Sequence, residues 1–427
     1  MRKIDNKREV VVLMENLLNT KDFKEITAIY LQLGPECNMQ CRHCHQTPDK
    51  EIMVVASKIS DATMQFLDNF IAFTQQGKFV KKAENTKEIK PLFRVSLWGG
   101  EPLLHWRLIK EIVTHFYEKY HYTNNKAFRF STTTNGLGIT DEIISFFNKY
   151  RVIVSFSYDA PYPWAVRGYV SDKVCEQVNK IDLVRIISTG CAYNCDPMLA
   201  YKCLQAKFPK AQFKIGMEIL RTFPTMPDDV DTYNFDKVRN FIRKLCIATK
   251  MGDKRAFEYL CRVCNTGMRP KNNYPRQHHG TSFCISGYHE LSVGLDGTIP
   301  FCYNSYHKIG SLQEDTLDTI YQKAKEQWDK IYDKKCETCD CRDLCSWNCA
   351  LILRDKENHA YTCEKFRKPF IRIVKEEVLE LFSPLTEEEK EWYVEQEKIM
   401  EQQVQAFLLE GKRYEKEHTR FPKNMIE

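Results

Sequence analysis

Cysteine constrains this 427-residue chain more than any other feature, because most of its eighteen cysteines lie in two groups. Three occur within eight residues, at Cys37, Cys41 and Cys44, and ten more lie within 261–363. The N-terminus has charge but no long apolar core, and no apolar run approaches the ~20 residues of a membrane-spanning helix. We therefore expect a cytoplasmic protein, and in such a protein dense cysteine more often binds metal than forms disulfides.

The charge of the chain gives no reason to expect nucleic acid as a partner. Its composition, with 43% hydrophobic and 28% charged residues, is ordinary for a globular protein. The net charge is only +6, and basic residues alternate with acidic ones, as in 81–90. We expect neither nucleic acid nor a membrane among the partners.

Short β-rich runs alternate with helical segments over the first half of the chain. Strands are predicted at 28–34, 93–99, 128–134, 152–158, 183–189 and 213–220, and helices at 58–76, 106–120 and 141–150. This alternation predicts an α/β fold with βα units and a parallel sheet or partial barrel. In such folds the chemistry lies in the loops at the carboxyl ends of the strands.

Four regions follow from the pattern. We expect an N-terminal helix at 1–25, the partial barrel at 26–250, a cysteine-rich domain without long strands at 251–380, and a charged C-terminal helix at 381–427. Metal would supplement the small core of the third region. Trp392, Met400 and Phe407 are the apolar anchors of the last helix, which we expect to pack on the body of the protein.

The first cysteine group has the spacing C-x3-C-x2-C and occupies the loop after the first predicted strand. Three thiolates on a short loop can hold three irons of a 4Fe–4S cube and leave the fourth iron open. Zinc is the alternative, with His43 or His45 as its fourth ligand.

This loop resembles the signature of the radical S-adenosylmethionine (SAM) superfamily. The resemblance implies a partial (β/α)6 TIM-type barrel in which the open iron binds SAM, whose reductive cleavage yields a 5′-deoxyadenosyl radical. It also implies a reductant such as flavodoxin or ferredoxin. His43 stands where the family usually has an aromatic or similar residue near the adenine.

Three further segments resemble family motifs in the same order. Gly99, Gly100, Glu101 and Pro102 look like the motif that holds the SAM amino group, which suits a carboxylate. Thr134 and Asn135, followed by a glycine, resemble the segment near the ribose. The remaining candidates for contacts with SAM are Ser155, Ser157 and Arg167, the last placed to meet a carboxylate. In place of the family's Asp-Gly-Pro, this chain has Asp-Ala-Pro at 159–161.

The second cysteine group resembles the seven-cysteine SPASM extension of radical SAM enzymes. The resemblance implies two auxiliary 4Fe–4S clusters, and hence three clusters in all. The first would be held by Cys284, Cys302 and Cys349, and the second by Cys336, Cys339, Cys345 and Cys363. A pair of zinc ribbons is the alternative, since it also uses C-x2-C twice.

The cysteine that relatives have just before the position of Cys284, as the fourth ligand of the first auxiliary cluster, is absent. Cys264, Cys261 or a histidine could replace it, or the position could stay open for substrate. We favour Cys264, and we expect Cys341 to be a spare thiol. The isolated cysteines at 175, 203 and 246 are predicted to be small buried hydrophobes. Cys191 and Cys195, which follow a strand end, are candidate catalytic thiols, although a structural role is favoured.

Full SPASM domains mostly accompany peptide and protein modification, so the resemblance implies a ribosomal-peptide maturase that forms a crosslink or dehydrogenates its substrate. Anaerobic sulfatase maturation is the alternative, and a non-catalytic iron–sulfur electron carrier is an alternative of another class. Since about 36 residues precede Cys37, we expect no fused peptide-recognition domain. A leader peptide would then dock on another surface, either the C-terminal helix or a separate leader-peptide-binding protein.

Overall fold

A computed structural model describes residues 26–44, 57–75, 93–120, 128–189, 196–216, 234–254, 256–257, 260, 290–331, 333–341 and 355–418. Seven strands form one parallel sheet in the order β6-β5-β4-β3-β2-β1-β7. They are β1 Ala28–Gln32, β2 Phe93–Trp98, β3 Phe128–Thr134, β4 Ile153–Ser157, β5 Val184–Thr189, β6 Gln212–Gly216 and β7 Glu290–Gly294. The predicted α/β fold with a parallel sheet is confirmed, and the sequential order of β1 to β6 is consistent with a partial barrel.

Helices connect the strands and cover one face of the sheet. They are α1 Asp61–Gln75, α2 Trp106–Tyr120, α3 Asp141–Lys149, α4 Pro163–Val166, α5 Asp172–Val178, α6 Pro197–Lys207, α7 Phe235–Lys250, α8 Leu317–Ile331, α9 Lys356–Thr362, α10 Lys368–Leu379 and α11 Glu387–His418. A π-helical turn, Cys363–Arg367, joins α9 to α10. Ser60 caps α1 by accepting a hydrogen bond from the Thr63 amide.

The two faces of the sheet differ in polarity. On β1, Ile29 and Leu31 are fully buried in the hydrophobic core beneath the helices. The alternate positions include the aromatic Tyr30 and the polar Gln32, whose amide donates to the Ser292 hydroxyl at 3.1 Å. Because side chains alternate along a strand, one face of the sheet forms the core and the other forms the polar interior of the barrel.

Where no long strands were predicted, after residue 250, the structure describes three short strands. Strand β7 extends the barrel sheet by pairing with β1, and β8 Thr298–Cys302 pairs with β9 Ser305–Ser311 in an antiparallel hairpin. The five-residue β7 sequence ELSVG is too short to give a clear period-2 signal. The tip of the hairpin reaches the barrel, where the Tyr303 ring stacks on Tyr30 with 4.1 Å between centroids.

The charged C-terminal helix packs on the body, as predicted. Met400 and Phe407 of α11 are buried, and Trp392 is half-buried beneath the guanidinium of Arg243. The predicted N-terminal helix at 1–25 lies outside the described residues. Among the helices that the structure describes, none combines the length and the apolar character needed to cross a membrane.

Candidate functional site

The three cysteines of the first group lie in the loop that follows β1, where they line a cavity of about 150 Å³. All three are half-buried, and the Cys44 amide donates to the Cys41 carbonyl at 3.1 Å. Across the described residues, no three His, Cys, Asp or Glu side chains are grouped as ligands of a single metal ion. A 4Fe–4S cube has a different requirement, since each of its thiolates binds a different iron.

The glycine pair after β2 brings a second loop against the cysteine loop. The Gly100 amide donates to the Gly34 carbonyl at 2.9 Å, and the Glu101 amide donates to the Glu36 carbonyl at 2.7 Å. A Cβ on Gly100 would lie 2.3 Å from the Glu36 carbonyl oxygen, a distance that no side chain tolerates. The glycines are therefore required for the approach of one loop to the other, and not only for the approach of a ligand.

The Glu101 carboxylate joins this loop to the end of β3. Its Oε1 accepts hydrogen bonds from the Leu103 amide at 3.0 Å and the Thr134 hydroxyl at 2.7 Å, and its Oε2 accepts from the Asn135 amide at 2.7 Å. Burial raises the pKa of Glu101, and these three hydrogen bonds oppose that change. Since each carboxylate oxygen can accept two hydrogen bonds, Oε2 keeps acceptor capacity for a further donor.

The turn after β3 completes the contact among the three loops. The Asn135 side-chain amide donates to Asn38 Oδ1 of the cysteine loop at 2.7 Å, and Asn135 Oδ1 accepts from the Leu137 amide at 3.0 Å. Gly136 has φ +82°, a conformation that favours glycine. The sequence Thr-Asn-Gly is thus explained locally by a tight turn whose asparagine points back to the cysteines.

A buried ion cluster supports the cysteine loop from the side of β4. Asp159 is fully buried, and its Oδ2 accepts from Arg167 Nε at 2.8 Å and lies 3.2 Å from His43 Nε2. Its Oδ1 accepts from the Thr189 amide at 2.7 Å. Burial alone would raise the pKa of Asp159, but Arg167 and His43 hold it below the ordinary range. The carboxylate that Arg167 meets in this structure is therefore that of Asp159.

Arg167 also contacts the first cysteine group directly. Its Nη1 lies 3.6 Å from Cys41 Sγ, and its Nη2 lies 3.3 Å from His43 Nε2. Burial raises the pKa of the Cys41 thiol to about 11, and the guanidinium opposes this change. His43 Nδ1 is buried and has no hydrogen-bond partner among the described residues. The site thus supplies three thiols, a cation that favours the thiolate form of Cys41, and an unused polar atom of His43 beside them.

The structure brings most of the predicted residues of the barrel site together. The cavity lining includes Cys37, Cys41, His43, Cys44, Gly99, Gly100, Glu101, Thr134, Asn135, Ser157 and Arg167. Pro102 instead begins a short 3-10 helix, and Ser155 is absent from the lining. Cys191 and Cys195 lie outside the described residues.

Five lining residues were not predicted from the sequence: Met39, Trp98, Thr133, Thr189 and Asn304. Trp98, Thr133 and Thr189 lie at strand ends, where position alone could have suggested them. Asn304 lies in the β8–β9 turn, and only the folded chain shows that this turn reaches the barrel. Its amide donates to Cys302 Sγ at 3.4 Å, so one cysteine of the second group lies next to the cavity of the first.

The second cysteine group is described in part. Cys336 and Cys363 both lie near His359, whose Nε2 is 3.9 Å from Cys336 Sγ and 3.3 Å from Cys363 Sγ. Cys339 Sγ instead contacts the Asp340 carboxylate at 3.6 Å. Cys264, Cys284, Cys345 and Cys349 lie outside the described residues. The isolated cysteines at 175, 203 and 246 are buried, as predicted, and Cys341 is buried too.

Residues 31–190 match the model of the Radical SAM superfamily. This part of the chain is therefore similar to a radical SAM domain, and it includes the cysteine loop and the Gly99 and Thr134 loops. Radical SAM cyclopropyl synthase TigE of Paramaledivibacter caminithermalis is 26% identical to it over 179 residues. That match covers 40% of this chain and 35% of TigE, so the chain spans about a third of this curated relative.

Solved structures share the fold over most of the chain. Native anSMEcpe with bound AdoMet and Kp18Cys peptide is 17% identical, with a TM-score of 0.55, and the match covers 83% of this chain and 98% of that chain. Streptococcus suis SuiB bound to precursor peptide SuiA is 13% identical, with a TM-score of 0.52. That match covers 82% of this chain and 77% of the SuiB chain. At these identities the likeness shows the fold alone.

Proposed function

We propose that this protein is a radical SAM enzyme that modifies a peptide, either by forming a crosslink or by dehydrogenating it. The observation that carries the proposal is the convergence of the Cys37 loop, the Gly99 loop and the Thr134 turn on one cavity that the β8–β9 turn also lines. The fold likeness to proteins solved with a Kp18Cys peptide or a precursor peptide covers more of the chain than the barrel alone. It therefore supports a peptide as the substrate class.

Cys37, Cys41 and Cys44 are the proposed ligands of a 4Fe–4S cluster. The donor set fits, because three half-buried thiols line one cavity and the Arg167 cation lies 3.6 Å from one of them. With SAM bound, such a cluster supplies the reductive cleavage that yields a 5′-deoxyadenosyl radical. The role of Arg167 is to stabilise the Cys41 thiolate and to hold the ring of His43.

The loops around the cavity are assigned to SAM. Glu101 Oε2, which accepts one hydrogen bond in this structure, has capacity for the amino group, and the Gly99 and Gly100 backbone lies beside it. His43, whose Nδ1 has no partner among the described residues, is assigned to the adenine. Thr134 and Asn135 are assigned to the ribose, and both are already fixed by hydrogen bonds to the other loops. Their role is thus to hold the pocket rigid as well as to contact the ligand.

We assign two auxiliary 4Fe–4S clusters to the second cysteine group, as the SPASM resemblance implies. The position of Cys302 supports this, since Asn304 connects it to the barrel cavity. A cluster held there would supply an electron acceptor on the side of the cavity that Asn304 lines. A reductant of the flavodoxin or ferredoxin class and a separate leader-peptide-binding protein complete the proposed partners, in the cytoplasm.

The test is a mass measurement on a peptide encoded beside the gene. The anaerobically reconstituted enzyme, with dithionite and SAM, is incubated with that peptide. Loss of two hydrogens supports the proposal, and a peptide of unchanged mass contradicts it. Formylglycine, detected as an aldehyde-bearing residue in the product, would instead identify a sulfatase maturase. Because its formation from serine also removes two hydrogens, the modified residue is assigned by fragmentation and aldehyde labelling. Formation of 5′-deoxyadenosine excludes a simple electron carrier.

The name of the relative TigE suggests a second candidate, the closure of a cyclopropane ring within the substrate. Ring closure also removes two hydrogens, so the intact mass does not distinguish it from a crosslink. Fragmentation of the product does. A crosslink between two residues suppresses the backbone fragments between them. A ring within one side chain leaves the fragment series complete and lowers the mass of that one residue by two hydrogens.

A further inference from the structure

Arg367 is a buried cation without a carboxylate partner among the described residues. It is 2% exposed and lies at the end of the π-helical turn that begins at Cys363. Its Nη1 donates to Cys363 Sγ at 3.9 Å, while its Nε and Nη2 have no hydrogen-bond partner within the described part of the chain. A guanidinium keeps its charge in proteins, so burial without an anion is strongly unfavourable. The arrangement therefore points to an anion beside Cys363.

The carboxylate of Asp333 is hydrogen-bonded to His359. Asp333 Oδ2 accepts from His359 Nδ1 at 2.9 Å, and Asp333 Oδ1 accepts from the Lys335 amide at 3.0 Å. His359 in turn has its Nε2 at 3.3 Å from Cys363 Sγ. The side chains of His359 and Arg367 thus both contact Cys363. The Asp333 carboxylate is paired with His359 and not with Arg367.

The first cysteine group provides a contrast within the same molecule. Arg167 lies at a similar distance from a cysteine, 3.6 Å from Cys41 Sγ, but its Nε donates to the Asp159 carboxylate. The charge of Arg167 is therefore largely balanced by the protein. No carboxylate among the described residues balances the charge of Arg367. That charge can therefore interact with a cluster bound by Cys336 and Cys363.

We propose that Arg367 is the counter-charge of the auxiliary cluster held by Cys336 and Cys363, and that its hydrogen bond to the Cys363 sulfur raises the reduction potential of that cluster. This inference rests on the auxiliary clusters of the proposed function. Reduction adds one negative charge to a cluster that is already anionic. A fixed cation and a donor at the ligand sulfur stabilise the reduced form more than the oxidised form.

The experiment measures the potential of this cluster directly. The full-length protein with Cys37, Cys41 and Cys44 replaced by alanine lacks the first cluster, so reconstituted iron belongs to the second cysteine group. Potentiometric titration followed by electron paramagnetic resonance gives the reduction potential of each auxiliary cluster. These potentials are compared between the background protein and the same protein carrying Arg367→Met or Arg367→Lys. The control is Lys375→Met, which removes one exposed positive charge from α10, the helix that follows the π-helical turn.

Arg367→Met is expected to shift one auxiliary signal to a more negative potential, with partial restoration in Arg367→Lys and no shift in the control. Loss of that cluster in Arg367→Met with retention in Arg367→Lys also supports a required charge. An unchanged potential in Arg367→Met, or loss of the cluster in both variants, overturns the proposal. If the background protein binds no iron, the auxiliary clusters themselves are excluded, while SAM cleavage by the unmodified enzyme is unaffected.

Discussion

Replacing Arg167 by methionine tests the buried ion cluster that supports the cysteine loop. The change leaves Asp159, which is fully buried, without the guanidinium that donates to it at 2.8 Å. Removal of one partner of a buried ion pair costs about 3–5 kcal/mol, because the other charge stays buried. Asp159 keeps the Thr189 amide and the His43 ring. We therefore expect a loss near the lower end of that range, about 3 kcal/mol in the free energy of unfolding at pH 7.

The loss should depend on pH in a defined direction. In the unmodified protein the pKa of Asp159 is lowered, so its stabilising contribution is present above the ordinary carboxyl pKa and is lost as pH falls through the folded-state value. In Arg167→Met, burial dominates and raises that pKa, so the buried charge can be neutralised by mild acid. The difference between the two proteins should shrink as pH falls from 7 toward about 4.

The assay is urea unfolding of the cluster-free proteins, followed by tryptophan fluorescence, so that iron binding adds nothing to the stability. Lys180→Met is the control, because Lys180 and Asp141 form an exposed pair 3.6 Å apart. It should change the free energy of unfolding by no more than about 0.5 kcal/mol. A loss below about 1 kcal/mol in Arg167→Met, or a loss that is the same at pH 7 and pH 5, would refute the reasoning.

Three other substitutions have expected outcomes. Glu101→Gln should weaken SAM binding to the reconstituted enzyme about tenfold to a hundredfold, because a hydrogen bond to a charged group is worth ~1.5–3 kcal/mol. Unchanged affinity in a SAM titration would mean that the amino group of SAM binds elsewhere. Gly100→Ala puts a Cβ 2.3 Å from a carbonyl oxygen of the cysteine loop and should lower the iron content of the first cluster. Gly138→Ala, whose Cβ would make only ordinary contact, should leave that iron content unchanged. Met400→Ala should cost about 2–4 kcal/mol in the free energy of unfolding, because the side chain is 1% exposed, and a smaller loss would mean that α11 packs loosely.

Local pattern was enough to predict the barrel and the placement of its motifs. Strands such as Phe93–Trp98 carry a period-2 alternation over six residues, and parallel strands must end at one edge of the sheet. The loops that follow them therefore meet, whatever their detailed contacts. The strand Glu290–Gly294 was missed because five residues give too little pattern to separate a strand from a loop.

Contacts between distant side chains were beyond local pattern. Glu101 was predicted for its carboxylate, but only the fold shows that Thr134 and Asn135 already donate to it. The position of Asn304 beside the first cysteine group depends on a hairpin that lies about 260 residues later in the chain. The lack of a carboxylate partner for Arg367 among the described residues is also a property of the folded chain. The sequence around Arg367 predicts neither its burial nor which charges lie near it.

The central claim is that Cys37, Cys41 and Cys44 hold a cluster that cleaves SAM. The most direct test is the amount of 5′-deoxyadenosine formed by anaerobically reconstituted enzyme with SAM and dithionite. We predict that the unmodified protein forms it, that Cys41→Ala does not, and that Cys203→Ala, which changes a buried cysteine away from the cavity, still does. Absence of 5′-deoxyadenosine from the unmodified enzyme, or its undiminished formation by Cys41→Ala, would contradict the claim.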